Sequence, residues 1–99
     1  MRLSDEQIRA IRQLAEQVAG EHARVRVFGS RLDDHACGGD IDLMLEVSEP
    51  VVNPALMVAQ LSSRISRLMR GRKVDVLLSA PNLRHLPIHD IAFKEGKLI

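Results

Sequence analysis

Nine residues separate Ser30 from Asp40, and that short span restricts the topology of the 99-residue chain more than any other feature. On one side lies a β-prone run, Val25, Arg26, Val27 and Phe28, ended by Gly29; on the other lies a second run, Asp40 to Val47. A parallel crossover between neighbouring strands takes about a dozen residues or more. The two runs are therefore expected to pair antiparallel, which sets the Gly29-Ser30 end of the first beside the Asp40 end of the second. A third β-prone run, Lys73 to Leu78, follows an apolar stripe of helical period. Strand, helix and strand of this length fit a right-handed parallel crossover.

Two helices are expected before the third strand. Ser4 with Gln7 has the form of a capping box, and Asp5 and Glu6 suit the positive end of a helix dipole. Ile8, Ile11, Leu14, Ala15 and Val18 then recur at helical spacing, and Gly20 is a C-terminal stop. Asn53 followed by Pro54 reads as an N-cap and first helical position. Leu56, Met57, Leu61, Ile65 and Leu68 give that second helix its apolar stripe, ending near Gly71. Both stripes are read as core packing. Pro87 opens a last short helix, Ile88 to Glu95, stopped by Gly96. The terminal Leu98 and Ile99 are candidates to close a sheet edge or to pack on another subunit.

The order is thus helix, strand, turn, strand, helix, strand, helix: an α/β (α+β) domain on a small mixed β-sheet with flanking helices, spanning residues 1–99 as one unit. A hydrophobic fraction of 45% and a charged fraction of 27% supply a core for it. The single Cys37 leaves no internal disulfide and no multi-cysteine zinc site, which fits a reduced, cytoplasmic setting. No apolar run approaches the roughly 18 residues of a membrane helix, and the charges within Met1 to Ala10 do not suit a signal or transit peptide. A net charge of +1 and an aromatic content of 2% weigh against direct nucleic-acid binding. A core this small makes a partner chain an expectation.

Chemistry gathers at the start of the second strand. Asp is depleted in strands, yet Asp40 and Asp42 open the most apolar one in the chain. Their spacing is the strand period, so both carboxylates project from one face, about 7 Å apart along the backbone. Met44 and Glu46 continue that face, while Ile41, Leu43, Leu45 and Val47 supply the opposite, buried one. Two such carboxylates repel unless they share a cation or a proton, and hard divalent ions prefer oxygen ligands. In the third strand Val74, Val76 and Leu78 form one face, so Asp75 points to the other. With the second and third strands parallel, Asp40, Asp42 and Asp75 meet on one face. Three acids there permit two metal ions about 4 Å apart, able to clamp the attacking and leaving oxygens of a phosphoryl-type displacement.

Gly29, Ser30 and Arg31 supply the complementary part. Glycine lets backbone N–H groups approach a phosphate, a serine hydroxyl donates to it, and the guanidinium adds a charge-assisted donor. Gly38 and Gly39 let the chain turn tightly into Asp40.

Val27-Phe28-Gly29-Ser30-Arg31 followed by Gly38-Gly39-Asp40-Ile41-Asp42-Leu43 resembles the signature of the DNA-polymerase-β-like nucleotidyltransferase superfamily. More narrowly the chain is similar to the minimal nucleotidyltransferases, including antitoxins of the MNT/HEPN type. The resemblance implies that Asp40, Asp42 and Asp75 hold Mg²⁺ (two ions, with Mn²⁺ an alternative) and that Gly29, Ser30 and Arg31 bind the nucleotide. It implies ATP as the substrate and transfer of AMP to an acceptor hydroxyl, a tyrosine of a HEPN-type toxin, in a hetero-oligomer. Larger members add a C-terminal helical domain for nucleotide or acceptor binding; none is expected here, so the acceptor surface is expected to come largely from elsewhere. The rival expectation is a non-catalytic antitoxin, a binding module that neutralises its partner by contact.

Other features are set aside. His85 and His89 have a zinc-compatible spacing, but Pro87 between them argues against one continuous helix, so both are read as surface or loop residues. His35 and Cys37 lack companions for a metal site. Arg64, Arg67 and Arg70 share a helix face, followed by Arg72 and Lys73; a solvated face is the plain reading, an electrostatic contact with a partner or RNA the sharper one.

Overall fold

The computed structural model describes residues 3–29 and 41–99. Its elements are α1 (Asp5–Ala19), β1 (Arg24–Phe28), β2 (Ile41–Glu46), α2 (Pro54–Leu68), β3 (Val74–Ser79), α3 (Pro87–Glu95) and β4 (Lys97–Leu98). The strands form one mixed sheet in the order β3-β2-β1-β4. The antiparallel β1–β2 pair and the parallel β2–β3 pair are those expected from the connection lengths. The expected α+β architecture is therefore the one observed.

Local chemistry starts and stops the helices where anticipated. Ser4 Oγ accepts the Gln7 N–H at 3.1 Å while Gln7 Oε1 accepts the Ser4 N–H at 2.9 Å, so both halves of the capping box are made. Gly20 ends α1 with φ 98°, its N–H bonded to Glu16 O at 2.8 Å. Asn53 Oδ1 accepts the Leu56 N–H at 3.1 Å, and Pro54 stands in the first turn of α2. The loop before α2 is held from a distance: Asn82 both donates to Val51 O and accepts from Val51 N–H, each at 2.9 Å.

The sheet is covered on both faces. Ile11 and Ala15 of α1 with Leu61 and Ile65 of α2 pack on Val25, Val27, Ile41, Leu43, Leu45, Val74 and Leu78. On the other face, Ala92 of α3 packs with Phe28 and Met44, flanked by Leu77 and Phe93. Two expectations need correction here. Leu56 and Leu68 are not core residues: they are 51% and 39% exposed, and the inward stripe of α2 runs through Met57, Val58, Leu61 and Ile65 to the capping residue Met69. His89 is not a surface or loop residue: it is buried at 3% exposure inside α3. Pro87 does break continuity with His85, but it does so by starting α3, which carries His89 inward.

The C-terminal residues do close a sheet edge. Lys97 and Leu98 pair antiparallel with Val27 and Arg26, and the Ile99 N–H continues the ladder to Val25 O at 2.9 Å.

Candidate functional site

Strand register assembles the site. Asp42 stands directly opposite Asp75 across the parallel β2–β3 ladder and directly opposite Phe28 across the antiparallel β1–β2 ladder. Neighbouring strands run about 4.8 Å apart, and directly opposed residues project from the same face. The two carboxylates therefore belong to one face, at the end of the sheet where β1 finishes and β2 and β3 begin. Asp75 is exposed and Asp42 half-buried.

Gly29, the residue after β1, lies against the Asp42 side chain. Its φ is 74°, and a Cβ placed on it would sit 2.6 Å from Asp42 Oδ2. Glycine is thus required twice over, for the left-handed backbone and for room beside the carboxylate. The sequence motif named Gly29 for its approach to phosphate; the structure adds that the same residue makes space for Asp42. Of the other expected site residues, Asp40, Ser30 and Arg31 lie outside the described residues, as do Gly38 and Gly39. The structure thus brings together Gly29, Asp42 and Asp75.

The face that bears the acids is not open along its length. Met44, two residues beyond Asp42, is fully buried with Phe28 and Ala92, so α3 roofs the middle of the sheet and leaves the acid end at its margin. Farther along the same face, Arg26 lies over the Phe93 ring, its Cζ 5.2 Å from the centroid. Arg26 Nε and Glu46 Oε1 are buried without a hydrogen-bond partner. At that far end an open groove of about 840 Å³ is lined by Arg12, Arg24, Glu46, Ser48 and Leu98 among others. Its mixed charges and its distance along β2 from Asp42 separate it from the acid pair.

His89 anchors the roof. Its Nδ1 accepts the Leu86 N–H at 2.9 Å, which leaves the proton on Nε2, and that nitrogen donates to Leu78 O at 2.9 Å. His85 stacks on it at 5.1 Å between ring centroids, and its Nε2 is 2.6 Å from Asp90 Oδ1. Both ring nitrogens of His89 are thus committed to backbone groups, which makes it a structural side chain. No group of three or more potential metal-ligating side chains occurs among the described residues. No helix among them is long and apolar enough to cross a membrane.

No family model matches the chain, and no curated protein matches it either.

Proposed function

We propose that this chain is a metal-dependent nucleotidyltransferase of the DNA-polymerase-β-like type. In this reading it moves AMP from ATP to an acceptor hydroxyl, a tyrosine of a HEPN-type toxin, and acts as that toxin's antitoxin in the cytoplasm. The observation that supports the reading best is the Asp42–Asp75 register pair with Gly29 packed against the Asp42 carboxylate. Two hard oxygen donors on adjacent strands, beside a glycine that admits close approach, suit Mg²⁺ or Mn²⁺ and a phosphate group. Asp42 and Asp75, with Asp40, would hold the ions. When bound, these would supply charge neutralisation of the phosphates and a lower pKa of the acceptor hydroxyl.

The remaining chemistry belongs to the chain. Gly29, Ser30 and Arg31 bind the triphosphate and fix the α-phosphorus before the acids. The acceptor oxygen bonds to that phosphorus, the bond to the bridging oxygen breaks, and pyrophosphate leaves with the electron pair. Asp75, the more exposed carboxylate, accepts the hydroxyl proton and releases it to water. The Met44–Phe28–Ala92 cluster holds β1 and β2 together under the site, which keeps the carboxylates in register.

The test is intact-mass measurement of the toxin after incubation with this chain, ATP and Mg²⁺. Increments of one nucleotide monophosphate are expected with the wild type and none with Asp42→Asn or Asp75→Asn. Neutralisation of the toxin by those variants, with its mass unchanged, would make the chain a contact antitoxin and overturn the enzymatic reading.

A further inference from the structure

We propose that the C-terminal turn of α2 is a docking surface for an acidic protein segment carrying an apolar side chain. Between Glu49 and Asp75 every charged residue is a cation: Arg64, Arg67, Arg70, Arg72 and Lys73. The whole chain has a net charge of only +1, so positive charge is concentrated here and balanced elsewhere. The four arginines are exposed, and none meets a carboxylate among the described residues. A helix dipole accounts for cations in the last turn but not for Arg72 beyond it.

The turn is held in one shape. The Gly71 N–H reaches back to Ser66 O at 2.8 Å, and Ser66 Oγ donates to Arg72 O at 2.7 Å. Arg70 is in the left-handed region at φ 60°, where a side chain costs about 1–2 kcal/mol and glycine would cost nothing. Arg70 and Arg72 line a groove of about 600 Å³ with Gln7 of α1, Leu68 and Met69. Leu68 is 39% exposed there, an apolar contact inside a basic rim.

That combination selects the occupant. A carboxylate-bearing protein segment can pair with the arginines and set an aliphatic side chain on Leu68. A phosphate backbone offers nothing to Leu68. The side chains that would stack on bases are elsewhere: the only two aromatic rings of the Phe, Tyr and Trp type are Phe28, in the sheet core, and Phe93, under Arg26.

The surface adjoins the acid end of the sheet. The Ile41 N–H donates to Lys73 O at 3.0 Å, and the chain runs from Lys73 through Val74 straight to Asp75. A segment docked on the turn is held at the margin where an acceptor must arrive. The inference thus deepens the proposed function, and rests on it for that consequence alone. Its test uses no nucleotide, so failure of docking and failure of transfer are read separately.

Fluorescence anisotropy would compare three labelled probes of matched charge: an amphipathic Glu/Leu peptide, a Glu/Ser peptide and an RNA duplex. The Glu/Leu peptide should bind tightest, and its affinity should fall steeply as salt is raised. Arg67→Glu/Arg70→Glu should weaken it at least about tenfold, and Leu68→Ser by about threefold, while Arg67→Lys/Arg70→Lys retains most of it. Arg64→Glu/Arg67→Glu, with both changes on the exposed face of α2, repeats the charge test away from the strained turn. Thermal melts by circular dichroism establish that each variant is folded. Tighter binding of the RNA duplex, equal binding of the two peptides, indifference to charge reversal, or no binding of any probe would each overturn the proposal.

Discussion

Gly29 is the residue at which geometry and proposed chemistry meet most closely. A methyl group there meets both a positive φ and the Asp42 carboxylate at 2.6 Å. Gly29→Ala should destabilise by about 1–2 kcal/mol from the backbone alone, with a further cost for displacing Asp42. Denaturant unfolding would measure the sum. Truncating the carboxylate separates the parts: the Cβ of residue 42 is 3.5 Å away, an ordinary contact, so the penalty of Gly29→Ala should be smaller in an Asp42→Ala background. Equal penalties in both backgrounds would refute the contact. The sequence pointed to Gly29 and Asp42 as separate parts of a motif. Their mutual contact was not legible, because it depends on the register that sets Phe28 opposite Asp42. A second residue-scale outcome follows at Asn82, whose amide satisfies both backbone groups of Val51. Asn82→Ala leaves a donor and an acceptor unmet and should cost about 2 kcal/mol in the same measurement.

At the scale of elements, α1 and α3 use one capping device with different residues. In α1, Gln7 at the third helical position reaches back to the Ser4 N–H; in α3, His89 at the same position reaches back to the Leu86 N–H. His89 does more, since its other nitrogen binds Leu78 O and ties the helix to β3. His89→Phe keeps the ring but loses both bonds and should cost about 2 kcal/mol or more. His89→Gln can restore both, with its oxygen toward Leu86 and its amide toward Leu78, so it should recover a good part of that loss in thermal melts. A glutamine no better than phenylalanine would refute this account. The helix boundaries were legible because they rest on local chemistry: Ser4 with Gln7, Asn53 with Pro54, Gly20 and Gly96. Gly96 is fixed more tightly still, since a Cβ there would run into Ala92 O. The inward turn of His89 was not legible. A lone histidine two residues after a proline carries no periodic signal, and its burial depends on a β3 carbonyl 11 residues back in the chain. Leu56 misled for a related reason: its apolarity matched the stripe, while its angular position on α2 faces water.

The whole molecule is a sheet with unequal cover, and its stability should follow that inequality. The central strand β2 is shielded on both faces and paired on both edges; Ile41, Leu43, Met44 and Leu45 are fully buried. Among the described residues, two helices and most of the buried side chains lie on one side, whereas the other side has only α3 over the Phe28, Met44 and Ala92 cluster. The edge strand β4 has two residues and follows α3 directly, so the two should open together. The antiparallel and parallel pairings could be read from the connection lengths, and so could the end of the sheet where the acids gather. The thinness of the α3 side could not, because the sequence assigned the Met44 face to the acids alone. Local opening free energies scale with the buried contacts an element must break. Native-state hydrogen exchange should therefore rank β2 amides slowest, at the global unfolding limit, with those of α1 and α2 close behind. Amides of α3 and β4 should exchange faster by one to two orders of magnitude, about 1.4–2.8 kcal/mol less stable. Ala92→Ser, which sets a hydroxyl into that small cluster, should speed α3 and β4 further while leaving β2 nearly unchanged relative to the new global limit. Protection of α3 equal to that of β2 would mean that both faces unfold as one unit. The acid end would then not border a separately opening element, contrary to what the packing implies.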